Sequence, residues 1–233
     1  MNSYSFSLAA EPQVLSMIAL SQENLIQNNS KGALDFMLKD LSKLSGIPHQ
    51  YTVTSIKRGK RKFRNKRVAC VIPSVVGQSE FKSLNVIHSV PFAQLENHAF
   101  TLPSQAVIQE EVQLHGRLIG VLKGSPMLDS PFLYSINRAT IIEVSELSRL
   151  VDMLKKKRIE VAIHNSFEFQ LAAQHQQVDM HHDAAYSVAV TALGVTCHRS
   201  ALTESYLRQV NPVFESFNDK GLAPYFEKSF AAK

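Results

Sequence analysis

The sequence predicts an α/β protein of two lobes, each a mainly parallel sheet with crossover helices. Three observations carry this expectation. Short apolar strand signals alternate with amphipathic helical segments. The alternation runs once before Pro73 and again between Leu118 and Gln174. A further strand signal, residues 189–197, returns late, ahead of two closing helices. The 233 residues suit one large domain or two of roughly 100–120 each. With 45% apolar and 19% charged residues the chain can bury a real core. No apolar run approaches the roughly 20 residues of a membrane span; residues 187–195 are broken by Thr191 and Gly194.

Residues 4–10 alternate apolar and polar and read as a first strand. Residues 32–44 read as a helix, with Leu34, Leu38 and Leu41 on one face and Gly46 placed to end it. Residues 50–56 form a second strand. A short helix then leads to a third strand, residues 68–72, stopped by Pro73. In the second unit, Leu118–Leu122 and Thr140–Val144 are strands. Residues 145–157 are a helix with Leu147, Leu150, Val151 and Leu154 on one face. Residues 160–163 and 166–174 follow as strand and helix. Residues 189–197 return as a strand. The closing helices are residues 202–218, where Pro212 is expected to kink or interrupt the helix, and residues 222–230. Strands 68–72 and 118–122 are expected in separate sheets.

The net charge of +5 is mildly basic. Eight of the eleven residues 57–67 are Lys or Arg. Only Phe63 interrupts them with an aromatic ring, so the run reads as a solvated face with Phe63 turned inward, and no nucleic-acid partner is expected. His175, His181 and His182 lie close together without the carboxylate or cysteine spacing of a metal site, so no metal and no cofactor are expected. No nucleophile–base motif is present, which argues against an enzyme. The first residues lack a basic n-region of a leader, leaving a cytoplasmic protein or one whose leader has been removed.

The order of segments resembles the type II periplasmic solute-binding family, in particular its amino-acid-binding-like branch. The resemblance rests on short stretches in order along nearly the whole chain: Glu11-Pro12; Gly32; Ile56-Lys57-Arg58-Gly59 with Phe63 and Arg67-Val68-Ala69-Cys70; Ser79-Glu80-Phe81-Lys82; Ser89-Val90-Pro91-Phe92; His115-Gly116-Arg117-Leu118 through Gly124-Ser125; residues 150–163; and Val210-Asn211, Gly221-Leu222 and Tyr225-Phe226. It implies a two-lobed fold with two hinge strands. Residues 1–93 and 194–233 would form one lobe and 98–188 the other, with hinges near 93–97 and 189–193. It also implies a solute captured between the lobes, a periplasmic setting, a monomer and a membrane transporter permease as partner. A ligand-sensing domain of the same fold is the alternative, and a dehydratase a more remote one.

The same resemblance places the ligand site. Gly124-Ser125 follows a strand and opens a helical segment suited to an anion. Lys82 stands where the family's amino-acid binders carry an arginine for the ligand carboxylate. Asn165 stands where they carry an aspartate for the ammonium, and Asn supplies no charge. Together these departures imply a neutral ligand, or an anionic one without an amine. His164, Glu11, Ser74 and Phe92 are the remaining candidates for the cleft wall. The resemblance further sets Cys70 and Cys197 on neighbouring strands. Two free buried thiols are expected there, with a disulfide as the alternative.

Overall fold

The computed structural model describes residues 15–22, 24–26, 28–77, 81–123, 125, 128, 132 and 135–232. The strand expected at residues 4–10 lies outside them. The first described strand, β1 (Met17–Ser21), is a continuous apolar run buried on both faces, the signature of a central parallel strand rather than an alternating one. Helix α1 (Ala33–Ser45) buries Leu34, Met37, Leu38 and Leu41, and Gly46 ends it in the left-handed conformation. Its Asp35 carboxylate accepts from the Gly32 N–H at 2.9 Å and from the Tyr51 hydroxyl at 2.6 Å.

Strand β2 (Tyr51–Ser55) runs into α2 (Ile56–Arg64). There Gly59 lets the helix lie directly on β1: an added Cβ would collide with the Leu20 side chain. Strand β3 (Cys70–Val75) does not stop at Pro73. The ladder to its neighbour shifts register between Val71 and Ser74, so the missing N–H of Pro73 costs no ladder bond. Strands β4 (Val86–His88) and β5 (Ala93–Phe100) complete the first half. The second half contains β6 (Leu118–Leu122), β7 (Thr140–Val144), α3 (Leu147–Lys155), β8 (Val161–Asn165) and α4 (Ser166–His175). Strand β9 (Ala189–His198), α5 (Ala201–Lys220) and α6 (Ala223–Ala231) close the chain. Helix α5 is continuous across Pro212, so of the expected kink or interruption the interruption does not occur. Its buried face of Tyr206, Leu207, Val210, Phe214 and Phe217 outweighs the lost hydrogen bond.

The sheet is mixed, in the order β2-β1-β3-β9-β5-β8-β6-β7, with β4 also on β9. Strands β3 and β6 thus share one hydrogen-bonded path, which corrects the expectation of separate sheets. The cause is two long strands that run through both halves. Strand β5 pairs antiparallel with β9 over 93–97 and with β8 over 97–100. Strand β9 pairs with β5 over 189–193 and with β3 over 193–197. The pairings on either side of this crossover are parallel. The apolar cores remain separate. One gathers Leu34, Phe92, Val195, Phe214 and Phe226. Others gather Leu114, Ile119 and Val161, and Phe100, Leu150 and Phe169. The architecture is α/β and two-lobed, with the sheet curling through the crossover.

Cys70 lies directly opposite Cys197 in the β3–β9 ladder, and the two form a disulfide, Cα atoms 4.1 Å apart. The expectation of two free thiols is corrected: antiparallel register brings residues 127 apart in sequence face to face.

Candidate functional site

The parallel strands of both lobes end at a common cleft of about 260 Å³. Ser21 ends β1 and Gln22 follows it, Ile56 follows β2, Lys123 and Ser125 follow β6, and Ser145 follows β7. Carboxyl ends of strands are where open α/β sheets bind ligands, because loops and helix N-termini converge there. The crossover strands supply part of the wall through Leu95, Asn97, Thr191 and Leu193, each pair two residues apart and therefore on one face. The Asn97 amide donates to the Ala189 carbonyl at 3.2 Å and to the Thr191 hydroxyl at 3.3 Å, fixing the two strands to each other beneath the cleft.

The strongest polar group here is Glu168, in the first turn of α4. Asn165 caps that helix, its side-chain oxygen accepting from the Glu168 N–H at 3.0 Å. In return its amide donates to Glu168 Oε2 at 2.6 Å, and His164 Nε2 stands 3.0 Å from the same oxygen. All three side chains are buried and line the cleft. The positive end of the α4 dipole favours the carboxylate. Its second oxygen takes no hydrogen bond among the described residues. A carboxylate thus stands in the cleft wall three residues beyond Asn165. An implied ligand without a donor end does not follow from Asn165 alone. The spacing Asn165-x-x-Glu168 is a capping pattern visible in the sequence, and it was the available signal for Glu168.

Of the other residues singled out from the sequence, Ser125, His164 and Asn165 line this cleft. Glu11 and Gly124 lie outside the described residues. Ser74 is buried in β3, its hydroxyl accepting from Thr196 at 2.7 Å, and Thr196 is in turn 2.9 Å from His88 Nδ1. Phe92 packs on Phe214 within the first core, ring centroids 5.4 Å apart. Lys82 is exposed, in the segment between β3 and β4, and is not part of the cleft lining. Among the described residues, the lysine that lines the cleft is Lys123. His182 packs on Phe100 and on His98, and burial followed by the neighbouring His98 lowers its pKa. No three metal-ligating side chains converge among the described residues, and no helix among them is long and apolar enough to cross a membrane.

A second cavity, of about 220 Å³, lies wholly in the first lobe between Ile47, Pro48, Leu202 and Tyr206. His49 crosses it, hydrogen-bonded to Ser42 at 2.9 Å and Tyr206 at 3.0 Å, and burial lowers its pKa. Among the described residues it gathers the amino end of β1 and the residue before β2, and no carboxyl end of a strand.

No family model matches the sequence, and neither does any curated protein. Solved structures do match. The GluR0 ligand-binding core, solved with L-glutamate, superposes with a TM-score of 0.75 at 12% identity, over 93% of this chain and 98% of that one. The periplasmic VFT2 domain of BvgS from Bordetella pertussis gives 0.70 at 12% identity over 92% of each chain. The substrate binding protein of an amino acid ABC transporter gives 0.62 at 16% identity, over 93% and 96%. At these identities the likeness is one of fold.

Proposed function

From the two-lobed type II periplasmic-binding fold that this chain adopts, we propose that the protein captures a small polar solute between its lobes and closes on it, without catalysing a reaction. We take residues 1–93 and 194–233 as one lobe and 98–188 as the other, hinged at 93–97 and 189–193. The observation that carries the reading is the cleft itself. It collects strand ends from both halves around the crossover strands, and among the described residues it is lined by one acidic and one basic side chain, Glu168 and Lys123. Such a pair suits a ligand with a donor group toward Glu168 and an acceptor group toward Lys123 and the turn at Gly124-Ser125. Charge-assisted hydrogen bonds of this kind contribute about 1.5–3 kcal/mol each.

In this reading the solute is delivered to a membrane transporter, and the protein works as a monomer outside the cytoplasm. The Cys70–Cys197 bond supports an oxidising compartment. A second reading, a sensor that signals by closing, is favoured by the likeness to the BvgS domain and to a histidine kinase sensor domain, the latter at a TM-score of 0.67. The test is mass spectrometry of whatever the purified protein releases on denaturation, followed by calorimetry of that compound on wild type and Glu168→Gln. A small polar compound that binds wild type and is weakened roughly tenfold or more in the variant supports the proposal. Unaltered affinity removes Glu168 from the site.

A further inference from the structure

The positive charge of this protein is not spread over it. Residues 57–67 hold eight of the 25 basic residues and no acidic one, which leaves 17 basic against 20 acidic elsewhere. The whole excess therefore sits on α2 and the turn after it, while the rest of the chain is net negative.

The helix presents this charge outward. Phe63 is fully buried, stacked on the His198 ring at 4.2 Å and edge-to-face on Phe81 at 5.0 Å. Gly59 lies against β1. His198 Nε2 bonds the Phe63 carbonyl at 2.7 Å. These contacts fix the inner face of α2. Lys57, Arg58, Arg61, Lys66 and Arg67 are exposed and Lys62 is half-buried. None of these six makes an ion pair among the described residues. Exposed Lys82 follows Phe81, so a further cation stands close by.

Like charges at Lys57 and Arg61, at Arg58 and Lys62, and at Arg58 and Arg61 are spaced one helical turn apart, where they repel. An external anionic surface would relieve that repulsion. The described large apolar side chains that are exposed, Leu44, Val112, Val190 and Leu202, all lie outside α2. The patch therefore lacks the aromatic or aliphatic anchors of a protein interface, and with Phe63 inside it lacks the exposed rings on which bases stack. Long flexible cations on a rigid helix about 14 Å in length fit a diffuse array of negative headgroups.

We infer that the outer face of α2 docks this protein on an anionic phospholipid surface. Ile56, the first residue of the same helix, lines the cleft, so docking holds the cleft beside the membrane. The contact is electrostatic and does not insert into the bilayer.

The experiment is co-sedimentation of the full chain at about 0.15 M salt. One set of vesicles carries about 30% phosphatidylglycerol in phosphatidylcholine, and the other is phosphatidylcholine alone. A variant with Lys57→Gln, Arg58→Gln, Arg61→Gln and Lys62→Gln is run beside it. Wild type is expected on the anionic vesicles only and released at about 1 M salt. Each cation near such a surface is worth roughly fivefold in partitioning, so the variant should bind at least about a hundredfold more weakly. Its melting temperature should not fall, because repulsion within α2 has been removed. Four results would each overturn the inference: no sedimentation with anionic vesicles, equal sedimentation with both kinds, binding that survives about 1 M salt, or tighter binding to an oligonucleotide than to anionic vesicles at equal salt.

Discussion

Reducing the Cys70–Cys197 bond should remove a large part of this protein's stability. The bond closes a loop spanning 127 residues, and that loop contains β4 through β8 and all of β9 but its last residue. In the chain-entropy treatment, a loop of this length costs the unfolded state about 16–17 cal/mol/K of freedom, equivalent to about 5 kcal/mol at 25 °C. Measured gains are commonly smaller, so about 3–5 kcal/mol is the working expectation. For a chain of this size each 1 kcal/mol moves the melting temperature by about 2–4 °C, so the shift should be on the order of 10 °C. Both sulfurs are buried, so reduction does not alter a solvated surface. The assay is urea unfolding of the wild-type protein with and without reductant, with thiols counted in the denatured, unreduced sample. Two reactive thiols before reduction, or a change under about 0.5 kcal/mol on reduction, would refute the reasoning.

Replacing Asn165 by Ala removes the α4 cap and one of the two partners of buried Glu168 Oε2. A loss of about 1–3 kcal/mol is expected in the same unfolding assay, and a neutral outcome would show that the capping pair is not structural. Gly59→Val drives a branched side chain into Leu20 and Thr54 and should cost about 1–3 kcal/mol by overpacking, read from thermal melts. Burial lowers the pKa values of His49, His88 and His182, so below the ordinary imidazole value of about 6.5 the unfolded chain binds more protons than the folded one. Their contribution is present above that pH and is lost as pH falls through it, so melting temperatures should decline between about pH 7.5 and 5.5. A flat profile would contradict the burial of these rings.

Helices α1 and α3 were legible because each carries a 3.6-residue apolar period, and both lie within two residues of the expected bounds; α4 also lies within two residues of its expected bounds, although its apolar period is weak. Strand β1 was missed because both of its faces are buried. Its run Met17-Ile18-Ala19-Leu20 has no alternation to find, whereas residues 4–10 do alternate. The Pro73 stop was misjudged because tolerance of a proline depends on the partner's register, which only the folded ladder reveals. The site divides in the same way. Ser125 follows β6, and His164 and Asn165 end β8, strands whose positions are readable locally. Asn97 and Thr191 reach the cleft through the pairing of β5 with β9, a long-range register that no local pattern encodes. Ser74 and Phe92 are chemically suited to a cleft, yet tertiary packing directs them to Thr196 and Phe214.

Capture by closure is the central claim, and small-angle scattering tests it most directly. The radius of gyration is measured for the ligand-free protein and again with the identified solute at saturation. Closure demands that the solute bind the closed form more tightly; a shift from 1:99 to 99:1 requires a preference of about 5.5 kcal/mol. A smaller radius is expected at saturation, and a Glu168→Gln protein should need roughly tenfold or more solute to reach it. A radius unchanged at full occupancy would contradict capture by closure.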